Sequence, residues 1–424
     1  MIGSLTTPRP ADFADVRATN LAVVLQHVRE HAPCSRADIA AATGLNKATV
    51  SSLVTDLLER RLLRETGLTE NRIGRPATML VADGAGYAAV GMEVSADHLT
   101  AVALDLAGER LLSWRRSFAG GDASPGRAVA AVAGLARRAL AKVTGQGRQV
   151  LGLSVAVPGL VDAAGTVRVA PSLGWRDVDL AGQLTAALHG TGAAGGDGTG
   201  PGRPAVPVRV GNDAHLAATA EHRWGAYAGT PDLAYVTVGT GVGAGIIADG
   251  RLLRGALGFT GGLGHLPLDP AGPECGCGRR GCLAAVAGVA GLLRRANPEA
   301  FTDGPPSDWE PELQEVLRRA RARDRATVAA LSEVGGALGH AAAILANLVN
   351  PAVVIFGGYV VPLAPWLLPA ARQRLAQLAL APDAGGTELA VSTFGHDAAA
   401  TGGAARILAA VDAGDLPAPV PAPG

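Results

Sequence analysis

The sequence predicts an α/β chain in which a compact helical module, closed by a hairpin, precedes a larger body of strands, glycine turns and helices. Three observations predict it. Apolar residues recur at helical spacing near the N-terminus, at Leu21, Val24, Leu25 and Val28 and again at Val50, Leu53, Val54, Leu57 and Leu58. From residue 87 the period changes to two, with YAAVGMEV (87–94) and LTAVALDL (99–106) alternating like paired strands. Further on, apolar runs end directly in glycine or polar turns, at 149–162, 206–214, 233–253 and 352–358. At 424 residues the chain is long enough for two or three domains, and its 48% hydrophobic content suffices for a large core.

Taken in order, residues 1–12 read as a loose arm. A first helix follows, then a second opened by Ser35, with Asp38 three residues on to close a capping box. Thr43-Gly44 ends that helix, glycine permitting a sharp turn. A third helix turns Lys47, Thr49, Ser51, Ser52 and Thr55 outward, short polar groups rather than a lace of salt bridges. Leu62-Leu63, the stretch ETGLTENRIGRPAT and Met79-Leu80-Val81 then read as two short strands around a mobile, arginine-bearing loop. This is the spacing of a winged helix-turn-helix, assigned to 13–82. The second helix of such a pair lies in the major groove with its N-terminal residues at base edges, which places Asn46, Lys47, Thr49 and Ser52 to read DNA. Arg72 and Arg75 would reach phosphates or a minor groove. Helical triplets are common, so a small dimerisation module is the alternative. Between 60 and 75, Arg60, Arg61, Arg64, Arg72 and Arg75 face only Glu65 and Glu70, a local positive excess. The whole chain has zero formal net charge, which excludes a broad nucleic-acid or acidic-membrane coat.

DGAG (83–86) reads as a linker. After the first strand pair, AGER (107–110) turns into LLSWRRSF (111–118), 126–143 forms a helix, and QVLGLSVAVPGLVD is a buried strand leading into a loop. GTGAAGGDGTGPGRP (190–204) is a low-complexity surface loop. VPVRVGNDA is a strand, polar turn and helix start, and LAYVTVGTGVGAGIIADGRLL is a strand, glycine turn and strand. The tail DLPAPVPAPG reads as disordered. With no signal segment and no apolar run approaching ~18 residues, the expectation is a cytoplasmic protein with reduced thiols.

Three of the four cysteines stand beside a histidine in GHLPLDPAGPECGCGRRGC (264–282). His265, Cys275, Cys277 and Cys282 suit a tetrahedral zinc with no vacant position, a structural site. Gly276, Gly278 and Gly281 let the backbone fold tightly, and Arg279 and Arg280 offset the thiolate charge. A redox thiol cluster and unligated cysteines are the alternatives. Cys34 stands alone and reads as a small buried residue. The turn VGTGVGAG (238–245) could cradle phosphate or be a plain hairpin; FGG after AVVI is similarly ambiguous. Asn212-Asp213, at a strand end, is placed for a ligand, and a carboxylate there could take a proton from a sugar hydroxyl during phosphate transfer. The alternative is a turn aspartate that caps the next helix.

SVAVPGLVD, PSLGW, GNDA, VGTGVGAG, the cysteine segment and NPAVVIFGG occur in the order found in ROK proteins, the group of sugar-dependent repressors and sugar kinases, which the chain resembles over roughly 87–410. With the winged module in front, including GRPA at the wing, the chain resembles the repressor branch. The resemblance implies a two-lobed actin-like, hexokinase-like (ribonuclease H-like) fold. Its lobes would span 87–207 and 208–395, with a C-terminal helix 396–411 returning to the first lobe and 412–424 a disordered tail. It implies that Asn212, Asp213 and His265 face a sugar, that His265 also ligates structural zinc, and that Gly239, Thr240, Gly241, Gly357 and Gly358 form a vestigial nucleotide site. Kinase members open with an aspartate and a Gly-Gly-Thr phosphate turn, whereas GMEVSADHL here supplies Glu93 and Ser95-Ala96-Asp97, and Asp97 adds a charge that repels phosphate. The two sugar-binding glutamates of kinases are replaced by Gly262 and Ala284, and the fourth residue of NDAN is His215. A charge-assisted hydrogen bond is worth roughly 1.5–3 kcal/mol, so losing two weakens an ordinary hexose by several orders of magnitude.

The expected function is a DNA-binding transcriptional regulator, read as a repressor and not an enzyme. It would bind double-stranded operator DNA as a homodimer or homotetramer, sense a sugar or sugar phosphate, and have no membrane partner. The alternatives are an active ATP-dependent sugar kinase with an appended DNA-binding module, Asp213 being its base, and a zinc-stapled scaffold.

Overall fold

The fold is that of a computed structural model, which describes residues 13–68, 77–121, 123–189, 206–302, 304–306, 308–380 and 386–417. Residues 69–76, which include Arg72 and Arg75 and the first three residues of GRPA, and the low-complexity stretch 190–204 lie outside the described residues.

The winged module runs α1 (Phe13–His31), β1 (Cys34–Ser35), α2 (Arg36–Thr43), α3 (Lys47–Glu59), β2 (Leu63–Leu68) and β3 (Thr78–Ala82). Ser35 caps α2: its hydroxyl accepts from the Asp38 N–H at 3.2 Å while the Asp38 carboxylate accepts from the Ser35 N–H at 2.9 Å. Gly44, at φ 72°, ends the helix. The sequence reading omits β1, which pairs with β3 and makes the wing a three-stranded sheet ordered β1-β3-β2. Cys34 is buried in that strand.

The first lobe contains β4 (Tyr87–Val94), β5 (His98–Asp105), β6 (Arg110–Ser117), α4 (Pro125–Thr144), β7 (Gln149–Val157), a small sheet of β8 (Leu160–Val161), β9 (Thr166–Ala170) and β10 (Trp175–Asp179), α5 (Leu180–His189) and β11 (Val208–Asn212). Its main sheet is ordered β11-β7-β4-β5-β6, with β4 to β6 antiparallel and β7 and β11 parallel to β4. The second lobe follows with α6 (Asp213–Trp224), β12 (Leu233–Val238), β13 (Val242–Ala248), β14 (Arg251–Leu252), α7 (Leu283–Ala287), α8 (Val289–Ala296), α9 (Glu310–Arg321), α10 (Arg325–Val349), β15 (Val353–Phe356), α11 (Val360–Leu378), β16 (Glu388–Val391) and α12 (Ala398–Asp412). Its order, β14-β13-β12-β15-β16, repeats that of the first lobe: an antiparallel meander followed by two parallel strands.

The connections make a hinge. α6 leaves β11 of the first lobe and packs on β12 and β13 of the second, while α12 returns from the second lobe to pack on β4, β5 and β7. The two helices lie against each other.

Four sequence expectations need correction. The lobe boundary falls after Asn212 rather than at 208, because β11 extends the first sheet beside β7. DGAG is not a slack linker: Asp83 is buried and accepts the Ala85 N–H at 2.9 Å, and the Tyr87 hydroxyl donates to the Arg60 carbonyl at 2.7 Å. One continuous apolar core joins Val24, Leu25, Leu57 and Leu62 of the module to Tyr87, Val102, Leu104 and Leu408 of the body. The tail is ordered through Pro417, where Arg60 donates to the Pro417 carbonyl at 2.7 Å and Leu416 packs on the shared core; 418–424 lie outside the described residues. Finally, α10 is long and apolar enough to cross a membrane, with Glu333 the only acidic residue in 326–349. It is instead a core helix of the second lobe, with Leu331, Val334 and Leu338 fully buried.

Candidate functional site

The lobes enclose a cleft of about 990 Å³. β11 delivers Asn212 to it and α6 starts there. The Asn212 carbonyl oxygen caps α6 by accepting the His215 N–H at 2.9 Å, and its amide donates to the Gly159 carbonyl at 2.9 Å and to Asp213 at 3.1 Å. Asn212 therefore lines the cleft with its amide already committed, and it, rather than Asp213, is the cap. Asp213 accepts the Ala214 N–H at 2.8 Å. Burial, reinforced by the nearby charge of Glu93, pushes its carboxyl up to about 7. His215, buried, meets the Thr260 carbonyl at 3.0 Å and so fastens α6 to the loop that precedes His265.

The turn between β4 and β5 carries a cluster of paired polar groups. His98 Nδ1 lies 2.8 Å from Asp97, which also accepts from Ser95 Oγ at 2.9 Å, and His98 Nε2 is 3.9 Å from Glu93. Burial alone would lower the His98 pKa, but the hydrogen bond to Asp97 and the negative charges of Asp97 and Glu93 outweigh that and raise it to about 9. Asp97 is thus not a bare repelling charge, as its sequence position suggests, but half of an ion pair. Across the mouth, β6 is tied to the second lobe: Arg115 to Glu310 at 3.6 Å and Ser117 to Asp308 at 3.1 Å, with Asp397 meeting Arg110 at 3.2 Å and Ser113 at 2.7 Å. The sequence reading assigns no role to His98, Arg115 or His396, all of which line the cleft. Only the adjacency of Asp97 and His98 at a strand start signals any of this.

Gly239, Thr240, Gly241 and Gly358 line the second lobe's side of the cleft. Gly357 does not: a Cβ there would sit 1.7 Å from the Tyr235 hydroxyl, so the residue is small to admit a buried tyrosine.

His265, Cys275, Cys277 and Cys282 converge, their ligand atoms all within 4.8 Å of one another. Cys275 Sγ is 3.7 Å from His265 Nδ1 and Cys277 Sγ is 3.7 Å from Cys282 Sγ. A tetrahedron with zinc–sulfur distances of ~2.3 Å has edges of about 3.8 Å, so the cluster has the size of an occupied metal site. Burial pushes the Cys282 thiol up, so ionising it beside two other sulfurs needs a cation. Gly281, at φ 64°, is indispensable: a Cβ would lie 1.5 Å from the Asp269 carbonyl oxygen. A Cβ at Gly276 would meet nothing within 4 Å. Of the two arginines, Arg279 donates to the His265 carbonyl at 3.3 Å, whereas Arg280 is taken by Glu274 at 2.8 Å and does not offset thiolate charge. His265 also lines the cleft, so the cluster anchors one wall.

On the winged module Asn46 accepts the Thr49 N–H at 2.8 Å as the cap of α3. Lys47, Ser51, Ser52 and Thr55 are exposed along one face. Arg17, at 2.9 Å, and Arg60, at 2.6 Å, neutralise Asp56 on the same helix.

This geometry has known counterparts. The ROK family model matches residues 89–410.

The chain belongs to the ROK family.

A MarR family model matches residues 22–70, the winged module. The xylose repressor of Bacillus subtilis is 29% identical over 393 residues, covering 92% of this chain and 95% of its own. A glucokinase of Halalkalibacterium halodurans is 33% identical over 263 residues, but covers only 60% of this chain and 74% of its own. A crystal structure of a ROK family transcriptional regulator, homologous to the Mlc protein of E. coli, superposes with a TM-score of 0.75 at 26% identity over 95% of this chain and 98% of its own. The xylose repressor and the Mlc-like regulator match nearly end to end. This ROK protein is therefore built as a transcriptional regulator of the family, and kinase function is the less favoured reading.

Proposed function

We propose that the protein is a transcriptional repressor that reads a two-fold operator as a dimer and is released by a sugar or sugar-derived effector bound in the cleft. What supports this reading is the near end-to-end match to a xylose repressor and to a ROK family regulator, together with His98 lodged between Asp97 and Glu93 where kinases would take phosphate. Phosphate at that turn would have to displace a satisfied ion pair and approach two carboxylates. Gly262 and Ala284, where kinases place hydroxyl acceptors, leave a sugar without its usual anchors. The effector therefore differs from a plain hexose in its hydroxyl pattern or carries a further group.

In this reading Lys47, Thr49 and Ser52 face base edges or phosphates, Asn46 holds the helix that presents them, and Arg72 and Arg75 of the wing reach the backbone. A structural zinc is held by His265, Cys275, Cys277 and Cys282. It supplies a rigid closed node and leaves the imidazole of His265 as part of the sugar wall. The repressor works in the cytoplasm, where its operator is. The test is a thermal-shift screen of pentoses, hexoses, amino sugars and their phosphates, followed by operator release with each hit. A hit that stabilises the chain without weakening operator binding contradicts the effector role.

One observation favours a second reading, phosphotransfer to a sugar: Asp213, raised to about 7 in the cleft, is tuned as a general base. ATP consumption with a sugar panel decides it, since turnover lost in Asp213→Asn would establish a kinase.

A further inference from the structure

The hinge connects the cleft to the reading module. α6 and α12 both begin at the cleft, at Asp213 and Ala398; at the far end α12 packs against α1 of the winged module, and α6 meets α12 there through Arg223. At ~1.5 Å per residue they carry that distance over roughly 18 and 22 Å. At the far end the Asp412 carboxylate accepts from Arg223 of α6 with one oxygen and from Arg29 of α1 with the other. The three side chains are withdrawn from solvent, at 24, 17 and 9% exposure for Arg223, Asp412 and Arg29. The chain then runs on as a short strap. On one side Arg60 of the module holds the Pro417 carbonyl; on the other Arg209 of β11, three residues before Asn212, pairs with Asp415 at 3.7 Å.

We propose that Asp412 is a positioning residue that couples the state of the cleft to the orientation of the DNA-reading module. Buried charges do not slide apart without leaving a group unpaired. When the lobes close and the crossing of α6 and α12 changes, Arg223 moves with α6, Asp412 follows it, and Arg29 brings α1. Asn212 and Asp213 stand at the cleft end of α6, and Ala398 at that of α12. The proposal rests on the regulator reading, because the module must bind DNA for its orientation to matter.

Coupling of this kind is reciprocal: DNA binding must alter the cleft as much as a cleft ligand alters DNA binding. The duplex itself is therefore the probe. The full-length, zinc-loaded chain is incubated with a duplex selected from a random library, and amide exchange is followed at 209–217. The account expects exchange there to change about fivefold or more on duplex saturation, and the change to fall to less than half in Asp412→Asn at matched saturation. Arg223→Gln, which leaves the Arg29–Asp412 pair in place, gives the same expectation if Asp412→Asn does not fold. A purely structural role for Asp412 would lower the melting temperature and leave the transmitted change intact. That result, or an unchanged 209–217 in wild type with duplex bound, overturns the proposal. If wild type binds no duplex at all, the regulator reading itself has failed, and the coupling falls with it.

Discussion

At the scale of single residues, the site is decided by what each polar group already touches. Asn46 reads in sequence as a base contact and in the structure as a helix cap. The two roles separate experimentally: Asn46→Ser keeps an equivalent cap, whereas Asn46→Ala costs about 1 kcal/mol of stability. We expect the serine variant to retain both melting temperature and operator affinity; normal stability with lost affinity would restore a base-reading role. Lys47 is exposed at the start of α3. Lys47→Ala should weaken operator binding and lower the log–log salt slope by roughly 1, measured by titration at several ionic strengths. His98 gives a pH prediction. Its folded pKa, about 9, lies above the ordinary histidine value of 6.5, so the folded state binds the proton more tightly. The stabilisation is complete below pH 6.5 and is lost as pH rises through 9. Thermal melts from pH 6 to 10 should fall across that window in wild type, by up to about 3 kcal/mol, and be flatter in His98→Gln.

At the scale of elements, most of the chain is legible in sequence because its periods are clean. The capping box at Ser35, the strand pair from 87 and the strand–glycine–strand unit from 233 all form, although the strand pair is buried on both faces rather than on alternate residues. The metal cluster is legible because its ligands are close in sequence and chemically unusual. The pairing of Asp97 is not: whether it repels an anion or pairs with His98 depends on the ring's placement at the β4–β5 turn, which composition does not encode. Nor is the Arg29–Asp412 pair, whose partners are 383 residues apart, nor the shared core that turns an apparent linker into a packed joint. Removing zinc with a chelator should expose the segment 263–284 and loosen the cleft wall carrying His265, because metal binding there is also folding free energy. Exchange mass spectrometry reads this; protection that survives verified metal loss would show that the glycine-rich turns hold the loop unaided.

At the scale of the whole molecule, a reading head, a two-lobed body and a hinge form one connected object. The core that contains Val24 and Leu57 also contains Tyr87, Leu104 and Leu408, so the winged module should not melt or be released separately from the first lobe. Limited proteolysis is expected to spare 83–86, and calorimetry to show the module unfolding together with that lobe.

The central claim is that this ROK body moves DNA-reading heads. It is tested most directly by selecting duplexes from a random library with the purified, zinc-loaded chain and measuring affinity for the winner. One two-fold symmetric sequence should be enriched and bound at least about a thousandfold more tightly than random duplex. Enrichment of no sequence, with only weak salt-sensitive binding to all duplexes, would contradict it.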